Sequence, residues 1–545
     1  MATNFRNSGS GSQYSNTHGT QNNNSGSWNQ FNANTINYNA QNQSDSKLLA
    51  DLRVTDPRDD KRRIERRKGG LLRDSYCWIL DHKAFVRWQT DTQSSLLWIR
   101  GDPGKGKTML ICSIIDELPA RMPGWETIYF FCEATDSRLN NATAVLRSLL
   151  YLLLRKRPSL SRFIREEHEH AGKRLFEDAN GWDFLSITFS NILQDGGLDG
   201  FILVIDALDE CTAGLDQLLD FIVGLFPFHV KVIASSRNWL SIEETMATIS
   251  DRACISLELN QTSVSAAVNR YIRHQVDKLA RLKRYDSTTR DEVYDYLSSK
   301  ADDTFLWVAL VTEQLRKPGV SRRHARMKLE EFPQHLDALY NRMLARTWES
   351  MDRDLCRRIL AVASIVCRPV TLLELLSLAG LTERRIDLET LKEIVGECGC
   401  LLTVKDDVVY FVHQSAKDFL FRHALADTMP LGIHREHNLL LSRSLEVMSK
   451  TCRRNIYNLK EPGASVENIR TPVPDPLEPA RYACVYWAEH IDDGGHMPQL
   501  QYRQVYEFLK KHFLHWAEAL SLLRSVSGGI TSLLKLTQVF SKITK

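Results

Sequence analysis

Leu96-Leu-Trp-Ile-Arg-Gly-Asp-Pro-Gly-Lys-Gly-Lys-Thr108 is the stretch that decides the fold. The apolar residues Leu96 to Ile99 predict a buried strand, and a helical run from Met109 to Leu118 follows at once. Between them stands Gly101-x4-Gly106-Lys107-Thr108, the spacing of a phosphate-binding loop. Glycines let such a loop wrap phosphates, whose charge is met by backbone N–H groups and a helix N-terminus. Gly101, Gly104, Lys105 and Gly106 then form the cradle. Lys107 bridges the β- and γ-phosphates, and the Thr108 hydroxyl ligates Mg2+. Strand, loop and helix agree, so the motif predicts a P-loop nucleoside-triphosphatase.

Two further signals belong with the loop. A strand ending in an acid is expected about a hundred residues on, and Phe201-Ile-Leu-Val-Ile-Asp206 fits, continuing Ala207-Leu-Asp209-Glu210. Asp206 would hold Mg2+ indirectly, at the carboxyl end of its strand. Asp209 or Glu210 would orient or deprotonate the attacking water. Apolar residues followed by acids can also be an ordinary strand end, and it is the pairing with the loop that gives them this reading. The third signal is Val232-Ile-Ala-Ser-Ser-Arg237, because an arginine leaving a strand tip can read a γ-phosphate. Alone, Arg237 would more often be a surface salt-bridge partner, so its role rests on its companions.

Outward from the loop, Thr127-Ile-Tyr-Phe-Phe131 and Val230-Lys-Val-Ile-Ala234 read as further buried strands, with helical segments such as Ala142 to Leu154 between. Alternation of this kind implies a parallel sheet covered on both faces. Beyond residue 262 amphipathic helices dominate. The exception is Leu401-Leu-Thr-Val404 and Val408-Val-Tyr-Phe-Val412, split by Lys405-Asp-Asp407, a hairpin after helices and the outline of a winged helix. Trp78, Phe85 and Trp88 predict a helix docked onto the NTPase domain.

The first 45 residues are different material, rich in Asn, Gln, Ser and Gly, and without Lys, Arg, Asp or Glu between Arg6 and Asp45. They cannot bury enough apolar surface to offset the entropy of ordering, so disorder is expected in the monomer. Asn7-Ser-Gly-Ser-x-x-Gln-Tyr14 recurs as Asn24-Ser-Gly-Ser-x-x-Gln-Phe31. Such tracts stack as cross-β ladders or serve as passive tails, and the repeat favours a segment that assembles. Arg58 to Lys68 mixes charge signs and ends at Gly69-Gly70, which predicts a solvated helix with a glycine stop. A nucleic-acid or import patch is the alternative.

Composition narrows the class of protein. A chain of 545 residues with 43% apolar residues holds several domains, and a net charge of +3 argues against a general polyanion-binding surface. Nucleic acid is therefore not an expected partner. The eleven cysteines are scattered; the close pair Cys398-Gly-Cys400 lacks a second pair nearby, so reduced buried thiols are expected. Residues 1–45 hold no signal-peptide core, and the longest apolar stretch, Phe221 to Val230, is about half the roughly 20 residues of a bilayer span. A soluble cytoplasmic protein without a membrane span is expected.

The loop, the Asp206-Ala-Leu-Asp-Glu-Cys211 box and Ala-Ser-Ser-Arg237 together resemble the NACHT group of STAND nucleoside-triphosphatases, in particular fungal NOD-like proteins that include vegetative-incompatibility proteins. Further matches are Thr55-Asp-Pro-Arg-Asp-Asp-Lys61, Gly69-Gly-Leu-Leu, Thr304-Phe-Leu-Trp-Val308 and Phe411-Val-His-Gln-Ser-Ala-Lys-Asp-Phe419. The resemblance implies an α/β P-loop core followed by a helical domain, a winged helix and a C-terminal helical region. The expected boundaries are a tail over 1–45, a helical linker over 46–90, the NACHT domain over 91–262, a helical domain over 263–345, a winged helix over 346–425 and helices over 426–545. It also implies a switch that rests with diphosphate, exchanges it for ATP or GTP with Mg2+, opens and oligomerises, with slow regulatory hydrolysis. Pro333, in Phe332-Pro-x-x-Leu336, would pack near the base, and His413 would touch the β-phosphate of the resting state. Lone histidines in apolar strands are more often satisfied core residues; the surrounding box favours the ligand role here.

Many relatives carry a folded N-terminal effector domain and C-terminal WD or ankyrin repeats. This chain has the Asn/Gln-rich repeat at one end and no such repeats before Lys545, so it reads as a short form or an incomplete gene product. The expected partners are a second copy of the chain, a downstream effector engaged by the N-terminal segment, and an elicitor of unknown chemistry. The rival is a conventional P-loop enzyme acting on nucleic acid or a metabolite, which would need an acceptor pocket or a basic channel with stacking aromatics. A third reading is a scaffold whose nucleotide is structural; intact Lys107, Thr108, Asp206 and Glu210 argue against it.

Overall fold

A computed structural model describes residues 44–543 except 69, 71, 92–94, 179, 197–199, 229, 250–251, 383–385, 399–400, 461–465, 467–468 and 495–498. The repeat at the N-terminus, Gly69 and Cys400 lie outside the described residues. Contacts divide the chain into two compact units, one joining residues up to Asp56 to Leu146–Leu198, the other joining Pro57–Val145 to Asp199–Lys545. The division falls at Asp56, inside the segment 46–90.

The smaller unit packs helices around Leu48, Leu52, Leu149, Leu153, Phe176 and Phe189, all buried. Two of its buried polar side chains are paired with the N-terminal segment. The His168 Nε2 atom lies 3.0 Å from Asp51 Oδ2, and Arg147 Nε donates to the Leu52 carbonyl at 3.1 Å.

The larger unit is built on a five-stranded parallel sheet, with β1 (Ser95–Arg100), β2 (Glu126–Phe131), β3 (Phe201–Asp206), β4 (Lys231–Ser236) and β5 (Arg252–Ser256) in the order β2-β3-β4-β1-β5. β3 and β4 are buried along their whole length, as expected of inner strands in a doubly covered sheet. Ile205 pairs with Ala234 and Ile99 with Ser235, so Gly101, Asp206 and Arg237 leave adjacent strands at one carboxyl edge. That edge is where open α/β sheets bind ligands. β5 escaped the sequence reading because Arg252 and Cys254 are exposed, leaving no continuous apolar run.

The expected docking helix is present: Phe85 and Trp88 are buried, and Trp88 Nε1 donates to the Ser95 carbonyl at 3.1 Å. The charged helix Pro57–Arg67 is not a solvated helix, which corrects the expectation. Asp60, Lys61 and Ile64 are buried, and Arg63 and Arg67 both reach Glu133 just past β2, at 2.9 and 3.0 Å. Alternating charges do not distinguish a wet face from one whose partners arrive from elsewhere in the chain.

Past the sheet, the helices Gln261–Lys283 and Phe305–Arg316 pack together. The helix Arg353–Ile365, β6 (Val370–Thr371), the helices Leu372–Leu378 and Leu388–Glu397, β7 (Leu402–Lys405) and β8 (Val408–Phe411) then follow the order of a winged helix. Its sheet runs β6-β8-β7, antiparallel. Asp406 and Asp407 both have positive φ, 51° and 58°, as a two-residue hairpin turn requires. The C-terminal helices close a separate core around Trp487, Trp516 and Phe508. The described cysteines carry free thiols, most of them buried. Among the described residues no helix is long and apolar enough to cross a membrane.

Candidate nucleotide-binding site

The loop between β1 and the helix Lys107–Arg121 owes its shape to two glycines. Gly104 and Gly106 have φ of 80° and 89°, and an added Cβ would lie 2.8 Å from Thr304 Cγ2 and 3.0 Å from a Phe305 ring carbon respectively. Backbone conformation and close approach both demand glycine there. Glu258 holds the loop from outside, its Oε1 accepting the Asp102 N–H at 2.7 Å. Lys107 folds over the loop, Nζ donating to the carbonyls of Gly101 and Asp102 at 2.6 and 3.1 Å. Burial pulls its ammonium pKa down, a cost that anionic phosphates would relieve.

Asp206 sits directly behind the loop, its carboxylate accepting from the Ser235 hydroxyl at 2.5 Å and from Thr108. Burial nonetheless pushes its pKa up. A buried carboxylate beside a threonine hydroxyl at the start of the P-loop helix is the hard-oxygen donor set that Mg2+ takes, so the residues fit that ion. Glu210 accepts the Ala134 N–H at 3.1 Å, and burial, then the neighbouring Asp209, raise its pKa to about 8.

Asp209 does not stand ready for a water. It is buried and committed to Arg237, accepting from its backbone N–H and its Nε, both at 2.9 Å. The Arg237 Nη1 atom continues to Asp418 Oδ2, at 2.6 Å, on the helix Gln414–His423. His413 caps that helix, Nδ1 accepting the Ser415 N–H at 3.1 Å, which leaves the ring proton on Nε2. Burial first, then the cations Lys68, Arg237, Lys107 and Arg67, drive its pKa well below the usual range, so the ring is neutral.

Most of these groups line one cavity of about 570 Å3, within the range of small-molecule sites, while Asp206 lies behind its wall. Gly104, Gly106, Lys107, Thr108, Asp209, Glu210, Arg237 and His413 all reach it. Gly101 lies at the base of the loop, and Lys105 points to the Asp302 carbonyl at 2.9 Å. Pro333 does not line the cavity; its carbonyl takes the indole N–H of buried Trp307 at 3.0 Å, which anchors it elsewhere.

Sequence reasoning missed Arg67 and Lys68, which enter the cavity from the charged helix, and the aromatic wall of Tyr76, Tyr271 and Phe305. The rings of Tyr76 and Phe305 stack with centroids 5.7 Å apart. A signal for Arg67 did exist: Arg63 and Arg67 are spaced i, i+4 and so share one helix face. A basic phosphate end, an apolar wall and a 570 Å3 volume fit a nucleotide.

The parallel sheet, the glycine loop and the acid behind it define a P-loop nucleoside-triphosphatase of α/β architecture. A family model described as Nephrocystin 3, N-terminal, matches residues 74–237. Over 515 residues the chain is 47% identical to the vegetative incompatibility protein HET-E-1 of Podospora anserina, covering 90% of this chain and 38% of that protein. Solved structures with a distant likeness include a Walker-type ATPase of Pyrococcus abyssi, 12% identical with a TM-score of 0.30, covering 60% of this chain and 91% of that one. A DNA replication initiation factor is 11% identical with a TM-score of 0.25, covering 83% and 92%. Residues 74–237 thus carry a NACHT-type match, and the chain is similar over most of its length to a fungal vegetative-incompatibility protein. It spans 38% of the length of the relative it matches.

Proposed function

We propose that this chain is a nucleotide-operated signalling switch, which exchanges diphosphate for ATP or GTP, opens, and self-associates in an incompatibility or immune response. One observation carries the reading. Arg237, at the tip of β4, is bound to Asp418 of the winged-helix region, and His413 of that region enters the same cavity. A γ-phosphate reaching Arg237 would compete with Asp418 for the guanidinium and loosen that tie. Lys107, with Gly104 and Gly106, would hold the phosphates; neutral His413 would donate from Nε2 to the resting diphosphate. Thr108 and Asp206 would hold Mg2+, which supplies positive charge against the phosphates. Glu210, once ionised, is the remaining acid placed to orient water, since Asp209 is committed to Arg237. Hydrolysis on this reading is slow and regulatory, and resets the switch.

The remaining parts of the proposal follow from the same logic. Self-association would cluster the N-terminal repeats, which then engage a downstream effector in the cytoplasm after an elicitor has acted. The deciding experiment is to purify the chain, identify the nucleotide it holds, and repeat this with Lys107→Ala. Tightly held diphosphate in the wild type, its loss in the variant, and turnover slower than exchange support the switch. An empty site with rapid, sustained turnover would hand the case to a conventional enzyme.

A further inference from the structure

Lys68 follows the last residue of the charged helix, its backbone N–H still bonded to the Ile64 carbonyl at 3.0 Å, and its side chain lines the nucleotide cavity. Four basic residues around it have partners. Lys61 is bound to Asp116 at 2.8 Å, Arg63 and Arg67 to Glu133 at 2.9 and 3.0 Å, and Lys107 to loop carbonyls at 2.6 and 3.1 Å. Among the described residues, Lys68 Nζ makes no hydrogen bond and no ion pair. Its position is nonetheless fixed, because the ion pairs of Arg63 and Arg67 clamp the helix that carries it.

Lys68 is partly buried on the cavity wall, and its ammonium has no protein partner among the described residues. Such a group makes sense where a bound anion completes it. Lys107, Glu210 and Arg237 line the same cavity as Lys68. Asp206 and Glu210 are the acids on the metal and water side of the site, where the last phosphate of a nucleotide held by Lys107 would lie.

We propose that Lys68 binds the terminal phosphate of a nucleoside triphosphate, so that a residue upstream of the P-loop core distinguishes triphosphate from diphosphate. The inference rests on the cavity being the nucleotide site. It makes the helix Pro57–Arg67 part of the sensing apparatus: one cation enters from before the sheet, Arg237 from within it.

The test uses the full chain freed of nucleotide, with methylanthraniloyl ATP, GTP, ADP and GDP as probes in the presence of Mg2+. Lys68→Met should weaken the triphosphate it binds by roughly tenfold to a hundredfold, the range of a charge-assisted hydrogen bond. Diphosphate binding should change much less, and Lys68→Arg should restore part of the preference. Without nucleotide, Lys68→Met should unfold at the wild-type temperature or higher, since an unpaired charge has been removed. An unchanged ratio of triphosphate to diphosphate affinity overturns the proposal. So does loss of both nucleotides with a lower unfolding temperature, which would mark Lys68 as structural. If the wild type binds no probe and Lys107→Ala behaves alike, the nucleotide-site reading itself falls and this inference with it.

Discussion

Arg237 donates from Nη1 to Asp418 Oδ2 at 2.6 Å, joining residues 181 positions apart in the chain. The same guanidinium is held through Nε by Asp209 at 2.9 Å, so it is aimed by one acid and restrained by the other. Asp418→Asn should release the restraint while leaving the aim. Hydrogen bonds to charged groups contribute about 1.5–3 kcal/mol, so the equilibrium should move roughly tenfold or more towards the open, triphosphate-bound state. Sedimentation of wild type and variant at matched triphosphate would measure this. An unchanged oligomer fraction with unchanged nucleotide affinity would sink the idea that this pair restrains opening.

Gly106→Ala is expected to abolish nucleotide binding and also to destabilise the fold. Its φ of 89° is costly for any residue with a Cβ, and that Cβ would press on the Phe305 ring at 3.0 Å. A left-handed non-glycine residue alone costs about 1–2 kcal/mol. Lys107→Ala, by contrast, removes a side chain that bonds only loop carbonyls, and should lose nucleotide while unfolding near the wild-type temperature. Thermal unfolding and bound-nucleotide content, measured together on both variants, separate the two effects. Equal stability loss in both would mean that the loop geometry does not depend on the glycine.

Glu210 supplies a pH test on the nucleotide-free protein. Its carboxyl titrates near 8 in the fold, against 4.5 as the ordinary value. Between those values the folded state binds the extra proton, so the contribution of Glu210 to stability is full below pH 4.5 and is lost as pH rises through about 8. Glu210→Gln mimics the protonated form and should flatten that decline in the unfolding temperature. A variant whose profile parallels the wild type throughout this window would show that Glu210 is not buried in its neutral form.

How much of this was legible in the residues depends on whether a signal is local. The P-loop, β3 with Asp206, and β4 with Arg237 could all be read because continuous apolar runs and glycine spacing are properties of neighbouring positions. The Asp406-Asp407 turn was legible for the same reason. The charged helix was misread since its partners, Asp116 and Glu133, come from other elements, and a mixed-charge helix looks solvated until they are known. The commitment of Asp209 to Arg237 and the absence of Pro333 from the cavity were likewise out of reach, being set by packing between elements. Lys68 stands in a mixed-charge run, and nothing in its neighbours along the chain says that it lines the cavity.

Glu133 is where that hidden arrangement can be tested most directly. Its carboxyl is largely buried, which alone would raise its pKa, but Arg67 and Arg63 overcome this and hold it down to about 2. The displacement from 4.5 corresponds to roughly 3 kcal/mol. That stability is present above pH 4.5 and is lost as pH falls towards 2. Glu133→Gln would leave two guanidiniums without their shared carboxylate, and breaking a buried pair from one side costs about 3–5 kcal/mol. The expected result is a lowered unfolding temperature at pH 7 and faster amide exchange along Pro57–Arg67, with the gap from wild type narrowing as the medium is acidified. Because Lys68 is positioned by this helix, the variant should also lose triphosphate preference. If exchange in the helix stayed at the wild-type rate, the clamp would not be what holds the helix, and the placement of Lys68 would need another cause.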